Sequence, residues 1–189
     1  VVACDTAVAA GCTETQLAWQ HGFQYAARLQ RCEMVQQNNN AGGPWLHSGA
    51  HVLSGGLGGL GLCAASEVVK RGAAAIFLVS RSGRVVRRGQ QLEERLRAVR
   101  EWRTCSVHVL CCDMSEGTGT LAVLQGMVAS GYGLCSAMHA SGIGAARLVP
   151  GQEPSGVCTL FGPKAVAAWH LHSALATQYV GSLLLFSSV

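Results

Sequence analysis

The chain passes from an apolar stretch into a helical segment through the glycine-rich run Ser54-Gly55-Gly56-Leu57-Gly58-Gly59-Leu60-Gly61. Its spacing matches GxGxxG at Gly56, Gly58 and Gly61, and also the looser GxxxGxG at Gly55, Gly59 and Gly61. Glycines at such a junction permit a tight turn, a close approach of backbone N–H groups to a ligand, and close packing of the helix on the strand. The run therefore predicts a strand-to-helix turn whose free N–H groups bind an anion.

The next apolar strand candidate ends at Ser80 and is followed by Arg81. Dinucleotide-binding folds that use NAD carry an acidic residue here for the ribose 2′-hydroxyl, whereas an arginine suits a 2′-phosphate. A plain turn and an ordinary surface charge would also account for the two features taken separately. Together, the glycine run and Arg81 predict NADPH as the cofactor.

Composition and charge indicate the size of the domain and argue against nucleic-acid binding. The 189 residues are 49% hydrophobic and 13% charged, which suits one domain of ordinary size with room for part of a second. The net charge is only +4. Arginines are frequent between 81 and 103, but Glu93, Glu94 and Glu101 are interleaved with them, which favours a solvated helix face over a nucleic-acid patch.

The cysteines and the chain ends bear on location. Nine cysteines at irregular spacing, with no CxxC, indicate free thiols in a reducing compartment, and His170-x-His172 alone is too little for a metal site. No signal peptide or membrane span is recognisable. We therefore expect a cytoplasmic location, no metal, and no nucleic-acid or membrane partner. The first residue is Val1 and the last residues resemble a strand edge, so we interpret the chain as a segment of a longer protein.

The first third of the chain differs from the rest. Residues 15–30 predict a β-hairpin with His21-Gly22 at its turn, because both arms alternate apolar and polar residues. A polar stretch rich in asparagine and glycine follows, which predicts a linker at 38–46. We expect residues 1–37 to form a small separate piece and 47–189 the main body.

The main body alternates strands and helices. Strands are predicted at 51–54, 75–80, 106–112, 134–140 and 182–187, and helices at 60–71, 90–100, 121–129 and 163–178. Strands that are apolar throughout belong to a parallel sheet covered on both faces. The prediction is an α/β fold: a doubly wound parallel sheet of the NAD(P)-binding Rossmann type, incomplete at its C-terminal end, with the N-terminal hairpin attached.

Six motifs in order resemble one family, the ketoreductase domain of type I polyketide synthases and animal-type fatty acid synthases, in the short-chain dehydrogenase/reductase superfamily. They are Ser54-Gly-Gly-Leu-Gly-Gly-Leu-Gly61, Leu78-Val-Ser-Arg-Ser-Gly83, Cys112-Asp-Met114, His139-Ala-Ser-Gly142, Gly162-Pro-Lys-Ala-Val-Ala-Ala-Trp-His-Leu-His172 and Leu185-Phe-Ser-Ser188. Thr15-Gln-Leu-Ala-Trp19 also resembles the last hairpin of the structural half that precedes the family's catalytic half.

The resemblance implies a set of cofactor-binding residues: Gly55, Gly56, Leu57, Gly58, Gly59, Leu60, Gly61, Ser80, Arg81, Asp113, Met114, Ala140, Ser141 and Gly142. In the family, the residues corresponding to Asp113 and Met114 lie by the adenine. Those corresponding to 140–142 lie by the nicotinamide ribose. Asp113 would also suit the N-cap of the following helix, and 140–142 would suit an ordinary turn.

Two catalytic positions are implied as well. Lys164, one of only two lysines, matches the family lysine that binds the nicotinamide ribose and favours the tyrosinate form of the catalytic tyrosine. A solvated first-turn lysine is the alternative. Ser188 matches the serine that polarises the substrate carbonyl. The family's tyrosine and asparagine correspond to positions after Val189, so we expect the 189 residues alone to be poorly stable and to show no turnover.

The resemblance implies NADPH-dependent reduction of a β-ketoacyl thioester to the β-hydroxyacyl thioester. The partners are then an acyl carrier protein with a phosphopantetheine-bound substrate and the neighbouring synthase domains. Gly144-Ala145-Ala146 replaces the Leu-Asp-Asp motif of one stereochemical class, and Ser82 replaces a second arginine of many bacterial members. The alternatives are a non-catalytic structural module of a megasynthase and, less well supported, a free-standing NADP(H) sensor.

Overall fold

A computed structural model describes residues 2–7, 18–30, 49–87, 89–144, 151, 153–176, 178 and 180–187. The chain divides into two compact units, residues 1–40 and 41–189. Each unit is described by itself below. Among the described residues, none of the helices combines the length and the apolar character needed to cross a lipid bilayer.

The N-terminal unit contains an antiparallel sheet of β1 (Val2–Ala7), β2 (Ala18–Gln20) and β3 (Phe23–Gln30), in the order β1-β3-β2. Strands β2 and β3 form the expected hairpin, in which Gln20 pairs with Phe23. His21 and Gly22 both have positive φ, of 51° and 82°, as a two-residue turn that matches the strand twist requires. The sequence analysis did not predict β1, which pairs with β3 along its whole length.

The second unit is built on a five-stranded parallel sheet. Its strands are β4 (Ala50–Ser54), β5 (Ala75–Ser80), β6 (Ser106–Cys111), β7 (Leu134–His139) and β8 (Ser182–Leu185), in the order β6-β5-β4-β7-β8. The first strand of the unit, β4, is therefore central, and the chain builds outward first on one side and then on the other. This order confirms the predicted doubly wound sheet. It also creates a crevice beside the carboxyl end of β4, where ligands bind in such folds.

Helices connect the strands. They are α1 (Gly59–Lys70), α2 (Leu92–Arg100), α3 (Gly117–Ala129), α4 (Pro154–Phe161) and α5 (Ala167–Leu175), with a π-helical turn, Gly162–Val166, between the last two. The prediction of one helix over 163–178 is wrong. The helical run begins at Pro154, which occupies the first turn where its missing N–H costs nothing, and it passes through Pro163 by widening into the π-turn.

Both faces of the three inner strands β4, β5 and β7 are buried, as their continuous apolar sequences predict, whereas the edge strands β6 and β8 are partly exposed. On one face Leu53 and Ile76 pack with apolar residues of α1 and α2. On the other face Val52 and Phe77 pack with residues of α3 and α5. Since neighbouring residues of a strand point to opposite faces, β4 contributes to both cores, and its carboxyl end is held firmly in the middle of the molecule.

Several polar side chains are buried in this unit, and His51 is the one whose pKa lies farthest from its ordinary value. His51 of β4 is fully buried, and its Nδ1 lies 2.7 Å from Ser136 Oγ of β7. Its Nε2 has no hydrogen-bond partner among the described residues. Burial lowers the pKa of His51 to about 4, so the imidazole is neutral at physiological pH.

Candidate functional site

A cleft of about 740 Å³ opens at the carboxyl edge of the parallel sheet. It is lined by most of the glycine run and by residues 79–82, 112–114 and 140–143, which follow β5, β6 and β7. Pro163 and Ala167 of the last helical run close one side. Four strand ends therefore meet at the crevice that the topology predicts.

Gly55 makes the turn out of β4. Its φ is +72°, and a Cβ there would lie 2.7 Å from the backbone nitrogen of Ser141. The N–H groups of Gly55 and Gly56 both donate to the Val79 carbonyl, at 2.9 and 3.1 Å. A glycine is required here both by the backbone conformation and by the closeness of the loop after β7.

Gly56 and Gly61 serve packing rather than the cleft. A Cβ on Gly56 would lie 2.8 Å from Leu78 Cα, and a Cβ on Gly61 would overlap the Gly55 carbonyl oxygen. Neither residue lines the cleft. They allow α1 to pack directly on the loop and on β5, which is the helix-packing task of a dinucleotide-binding loop.

Gly58 and Gly59 line the cleft and begin α1. Gly58 is the N-cap and supplies no side-chain hydrogen bond, so the first-turn N–H groups have no capping side chain. A Cβ on Gly59 would meet nothing closer than Gln90 Oε1, at 4.0 Å. The packing of the protein therefore does not require a glycine at position 59. A phosphate group that approached the helix N-terminus would need the space that a side chain at position 59 would fill. The residues present therefore fit a pyrophosphate.

The two leucines of the run divide between core and surface. Leu57 is buried in the core that contains α1, and Leu60 is exposed at the rim of the cleft. Leu57 therefore anchors the loop from beneath, while Leu60 contributes apolar surface to the mouth of the cleft.

Three arginines line the cleft beyond the end of β5: Arg81, Arg84 and Arg87. The sequence analysis treated the arginines between 81 and 103 as one solvated group; Arg84 and Arg87 are exposed, and they also line the cleft, which the charge pattern did not predict. They precede α2 and lie on the β5–α2 loop, residues 81–91, which bends through positive φ at Gly83, Gly89 and Gln91. Loops after the strands of a parallel sheet share one edge, and this rule could have indicated their position.

The β5–α2 loop is held by its own hydrogen bonds. Ser80 Oγ accepts the Gly83 N–H at 3.1 Å, and Ser82 Oγ donates to the Arg84 carbonyl at 3.0 Å. Within the described ranges, no acidic group pairs with the guanidinium of Arg84 or Arg87 within 4.0 Å. The cleft therefore carries positive charge that an anionic ligand would neutralise.

Asp113 and Met114 follow β6. Asp113 Oδ1 accepts hydrogen bonds from Ser115 Oγ at 2.7 Å and Ser115 N at 2.9 Å. The Ser115 hydroxyl, together with the backbone hydrogen bond and the charge of Arg81, lowers the pKa of Asp113. Asp113 is not the N-cap of α3, which begins at Gly117 with Glu116 as its cap. Met114 is buried and lines the cleft.

The loop after β7 contacts the glycine run directly. The Ala140 N–H donates to the Ser54 carbonyl at 2.9 Å, and the hydroxyls of Ser54 and Ser141 lie 2.7 Å apart. Ala140, Ser141 and Gly142 all line the cleft. These three residues form the end of the cleft opposite the arginines of the β5–α2 loop, because β7 and β5 flank β4 on opposite sides.

Lys164 lies beside this end of the cleft. A Cβ on Gly142 would be 3.3 Å from Lys164 Cε, so the lysine stem passes over Gly142. The carbonyl of Lys164 lies 3.1 Å from His139 Nε2, and apart from the motif that contains His139 no pattern in the sequence indicates this contact. Ser188 lies outside the described residues, as do Ala145, Ala146 and the predicted linker at 38–46. No three His, Cys, Asp or Glu side chains in the described ranges converge as metal ligands would.

Comparison with known proteins gives one family. A family model described as "KR domain" matches residues 49–189. The spectinabilin polyketide synthase system protein NorB of Streptomyces orinoci is 31% identical over 144 residues, 76% of this chain and 6% of that protein. The polyketide synthase GfsB of Streptomyces halstedii is 30% identical over 93% of this chain and 3% of its own length. The chain thus spans a few per cent of these curated relatives.

Solved structures of ketoreductases are also similar to this chain. PlmKR1, a ketoreductase from the first module of phoslactomycin biosynthesis in Streptomyces sp. HK803, is 25% identical with a TM-score of 0.73, over 93% of this chain and 39% of that one. An A1-type ketoreductase is 26% identical with a TM-score of 0.71, over 93% and 36% of the two chains. The similarity thus includes both the sequence and the arrangement of the strands around the cleft.

Proposed function

Since this chain belongs to the KR domain family, the ketoreductase domains of type I polyketide synthases within the short-chain dehydrogenase/reductase superfamily, we propose that it binds NADPH for the reduction of a β-ketoacyl thioester. The thioester would be carried on an acyl carrier protein, and the product would be the β-hydroxyacyl thioester. The observation that carries this proposal is the cleft at the carboxyl edge of the sheet, with a helix N-terminus at its centre and three arginines at one end.

The glycine loop supports binding of the pyrophosphate. Gly55 turns the chain, Gly56 and Gly61 let α1 pack closely, and Gly58 and Gly59 leave the first-turn N–H groups open to the cleft. Unpaired N–H groups and the partial positive charge of the helix N-terminus both favour a phosphate. Asp113 and Met114 line the cleft at the carboxyl end of β6, next to β5, and are proposed to contact the adenine.

The preference for NADPH over NADH rests on the arginines. An acidic residue at the end of β5 would accept hydrogen bonds from a ribose 2′-hydroxyl, but Arg81 is a donor there. A guanidinium can bind a phosphate through two parallel hydrogen bonds. Arg84 and Arg87 add two more donors to the same end of the cleft, so the site suits a 2′-phosphate better than a hydroxyl.

The bound dinucleotide would supply the hydride that reduces the β-carbon. At the opposite end of the cleft, Lys164 is proposed to bind the nicotinamide ribose and, through its charge, to favour the anionic form of the family's catalytic tyrosine. Ser188 is proposed to donate a hydrogen bond to the substrate carbonyl, which gains negative charge during reduction. Ala140, Ser141 and Gly142 offer a surface of small residues against which the ribose could lie.

The partners follow from the relatives, which are polyketide synthases far longer than this chain. We propose an acyl carrier protein with a phosphopantetheine-bound substrate and the neighbouring synthase domains as partners. A cytoplasmic location is supported by the free thiols of Cys63, Cys105, Cys111, Cys112 and Cys158, since such thiols persist in reducing compartments.

The test is the cofactor preference of the 189-residue chain. Binding of NADPH and NADH is measured by cofactor fluorescence for the unmodified chain, for Arg81→Asp and for Arg97→Asp. Arg97 is an exposed arginine of α2 outside the cleft and makes the same change in net charge. We expect Arg81→Asp to weaken NADPH binding by roughly tenfold to a hundredfold, as for loss of a charged hydrogen bond, and to leave NADH binding nearly unchanged.

Equal weakening of both cofactors, or the same effect from Arg97→Asp, would contradict the assignment of Arg81 to the 2′-phosphate. No binding of either cofactor would favour the other function considered for this sequence, a non-catalytic module of a megasynthase.

A further inference from the structure

Lys164 lies in an unusual part of the backbone. The turn Gly162–Val166 is π-helical, and the Ala167 N–H that closes it donates to the carbonyls of both Gly162 and Lys164. Turns of this width are rare, are less regular than an α-helix and often occur at functional sites. A contact from outside the helix can therefore help to hold the Lys164 backbone in this turn.

His139 supplies such a contact. It is the last residue of β7, its side chain is 4% exposed, and its Nε2 lies 3.1 Å from the Lys164 carbonyl oxygen. A carbonyl can only accept, so Nε2 carries the proton and donates. Burial lowers the pKa of His139 and outweighs the opposite effect of the Lys164 and Pro163 backbone, so burial favours the neutral ring. Its Nδ1 then has no hydrogen-bond partner in the part of the chain that the structure describes.

The imidazole is held in place by the sheet. The backbone of His139 pairs with Ser54 of β4 on one side and with Leu185 of β8 on the other. Its carbonyl also accepts the Phe186 N–H at 2.9 Å. A side chain at this point is therefore attached to a strand that is hydrogen-bonded on both sides, and a donor here can hold the group it binds in place.

The same strand end contacts Lys164 a second time. Gly142, three residues after His139, lies under the lysine stem, since a Cβ there would be 3.3 Å from Lys164 Cε. The backbone of Lys164 is thus held by His139, and its side chain is directed along Gly142, which lines the cleft. Both contacts come from the end of β7.

We propose that His139 is a positioning residue that holds Lys164 in its π-turn, so that the ammonium group reaches the nicotinamide end of the cleft. The inference rests on the proposed function, in which Lys164 binds the nicotinamide ribose. A buried nitrogen without a partner destabilises a fold, and an apolar side chain at 139 would avoid that cost. The histidine is therefore explained by the hydrogen bond of its other nitrogen to Lys164.

The chain offers a direct measurement, because Lys70 and Lys164 are its only lysines. With 13C-labelled lysine, the Cε region of a carbon–proton NMR spectrum contains two signals, and Lys70, at the end of α1, is the internal control. Spectra and NADPH dissociation constants are compared for the unmodified chain, His139→Leu, His139→Asn and His139→Gln. Thermal unfolding of each variant shows whether it is folded.

We expect His139→Leu to shift the Lys164 signal by more than its linewidth and to weaken NADPH binding by roughly tenfold, the lower end of the range for losing the partner of a binding residue. His139→Asn, whose shorter amide does not reach the Lys164 carbonyl, should behave alike. His139→Gln, which extends a donor further, should keep the signal and the affinity within about twofold of the unmodified chain. The Lys70 signal should not move in any variant.

Two outcomes overturn the inference, and they differ in what they say of the function. If folded His139→Leu or His139→Asn leaves the Lys164 signal and the affinity unchanged, His139 has only a structural role, and the proposed function stands. If NADPH binds the unmodified chain without moving the Lys164 signal, Lys164 does not bind the nicotinamide end. The proposed role of Lys164 then fails together with the inference.

Discussion

Single residues decide how this protein responds to acid, and His51 is the clearest case. Its folded pKa of about 4 lies below the ordinary value of 6.5, because the ring is buried in the core. Above pH 6.5 both folded and unfolded chains carry a neutral ring, and stability is unaffected. Between pH 6.5 and 4 only the unfolded chain takes up the proton, so stability falls by up to about 3 kcal/mol.

We expect urea unfolding to show this loss between pH 7 and pH 4.5 in the unmodified chain and a smaller loss in His51→Asn. The asparagine amide can still reach Ser136 Oγ but does not titrate in this range. Comparing the two chains isolates His51 from His139, whose pKa burial also lowers. Parallel loss of stability in both chains would exclude His51 as the source.

The glycine run shows what single residues reveal from sequence and what they do not. Its spacing matches both GxGxxG and GxxxGxG, and neither motif distinguishes the glycines needed for packing from those that leave space for a ligand. Gly55, Gly56 and Gly61 have no room for a Cβ, whereas Gly59 has ample room within the protein. The pattern of glycines was sufficient to predict the turn. The division between packing and ligand space depends on Leu78 and Ser141, which lie far along the chain.

At the level of elements, the β5–α2 loop carries the charge that the site needs. Arg84 and Arg87 precede an arginine-rich helix in the sequence, and charge pattern alone does not distinguish arginines that line the cleft from those on the exposed face of the helix. The helix begins only at Leu92, and ten residues of chain, 82–91, lie between it and Arg81. In the structure this ten-residue loop places both arginines along the cleft. The sequence predicted where the helix begins but not the path of the loop before it.

We predict that Arg84→Ala and Arg87→Ala each reduce the preference for NADPH over NADH by roughly threefold to tenfold, about the effect of one hydrogen bond to a charged group. The same titrations by cofactor fluorescence, with Arg97→Ala as the control, measure it. The two substitutions together should be less than multiplicative if both guanidinium groups bind one phosphate. A preference that neither single variant changes would restrict the 2′-phosphate contact to Arg81.

Two helices also departed from expectation, for a common reason. The start of α3, Gly117-Thr118-Gly119-Thr120, has low helix propensity, so the sequence predicted a helix only from Leu121. A Cβ on Gly119 would lie 3.1 Å from Cys112 Sγ, and one on Gly117 would lie 3.4 Å from the His170 ring. A Cβ at position 119 would crowd Cys112, and one at position 117 would lie at van der Waals distance from His170, so tertiary contacts support a helix that its local sequence disfavours. The π-turn at Pro163 is likewise held by a contact with β7 that no local pattern contains.

For the molecule as a whole, a doubly wound parallel sheet covered by helices followed from the apolar pattern of the strands and their alternation with helices, whereas the sequence analysis did not predict the order of the strands. The N-terminal sheet was predicted only in part, because β1 pairs with β3 across a long stretch of sequence and gives no local signal. The fold class therefore depends on local patterns. The detail of the site depends on which loops meet at one edge.

Cofactor binding should stabilise one unit and not the other. All cleft-lining residues belong to the second unit, 41–189. Suppose that the unit binds NADPH only when folded. At a free NADPH concentration of about 100 times the dissociation constant, its free energy of unfolding then rises by about 2.7 kcal/mol. Hydrogen exchange measured by mass spectrometry should then slow by roughly a hundredfold for core amides of β4, β5 and β7. The strands β1 to β3 should exchange at an unchanged rate.

Equal slowing in β1 to β3 would show that the two units respond to the cofactor together. No slowing in either unit under saturating NADPH would contradict binding in the cleft.

The central position of β4 also has a consequence for synthesis on the ribosome. Every residue that we assign to the phosphates and the adenine lies between Gly55 and Met114, within β4, β5, β6 and the segments that follow them. Residues of the nicotinamide end, from Ala140 to Lys164, leave the exit tunnel later. A nascent chain can therefore assemble the adenosine half of its cleft before the strand that completes the other half has been translated.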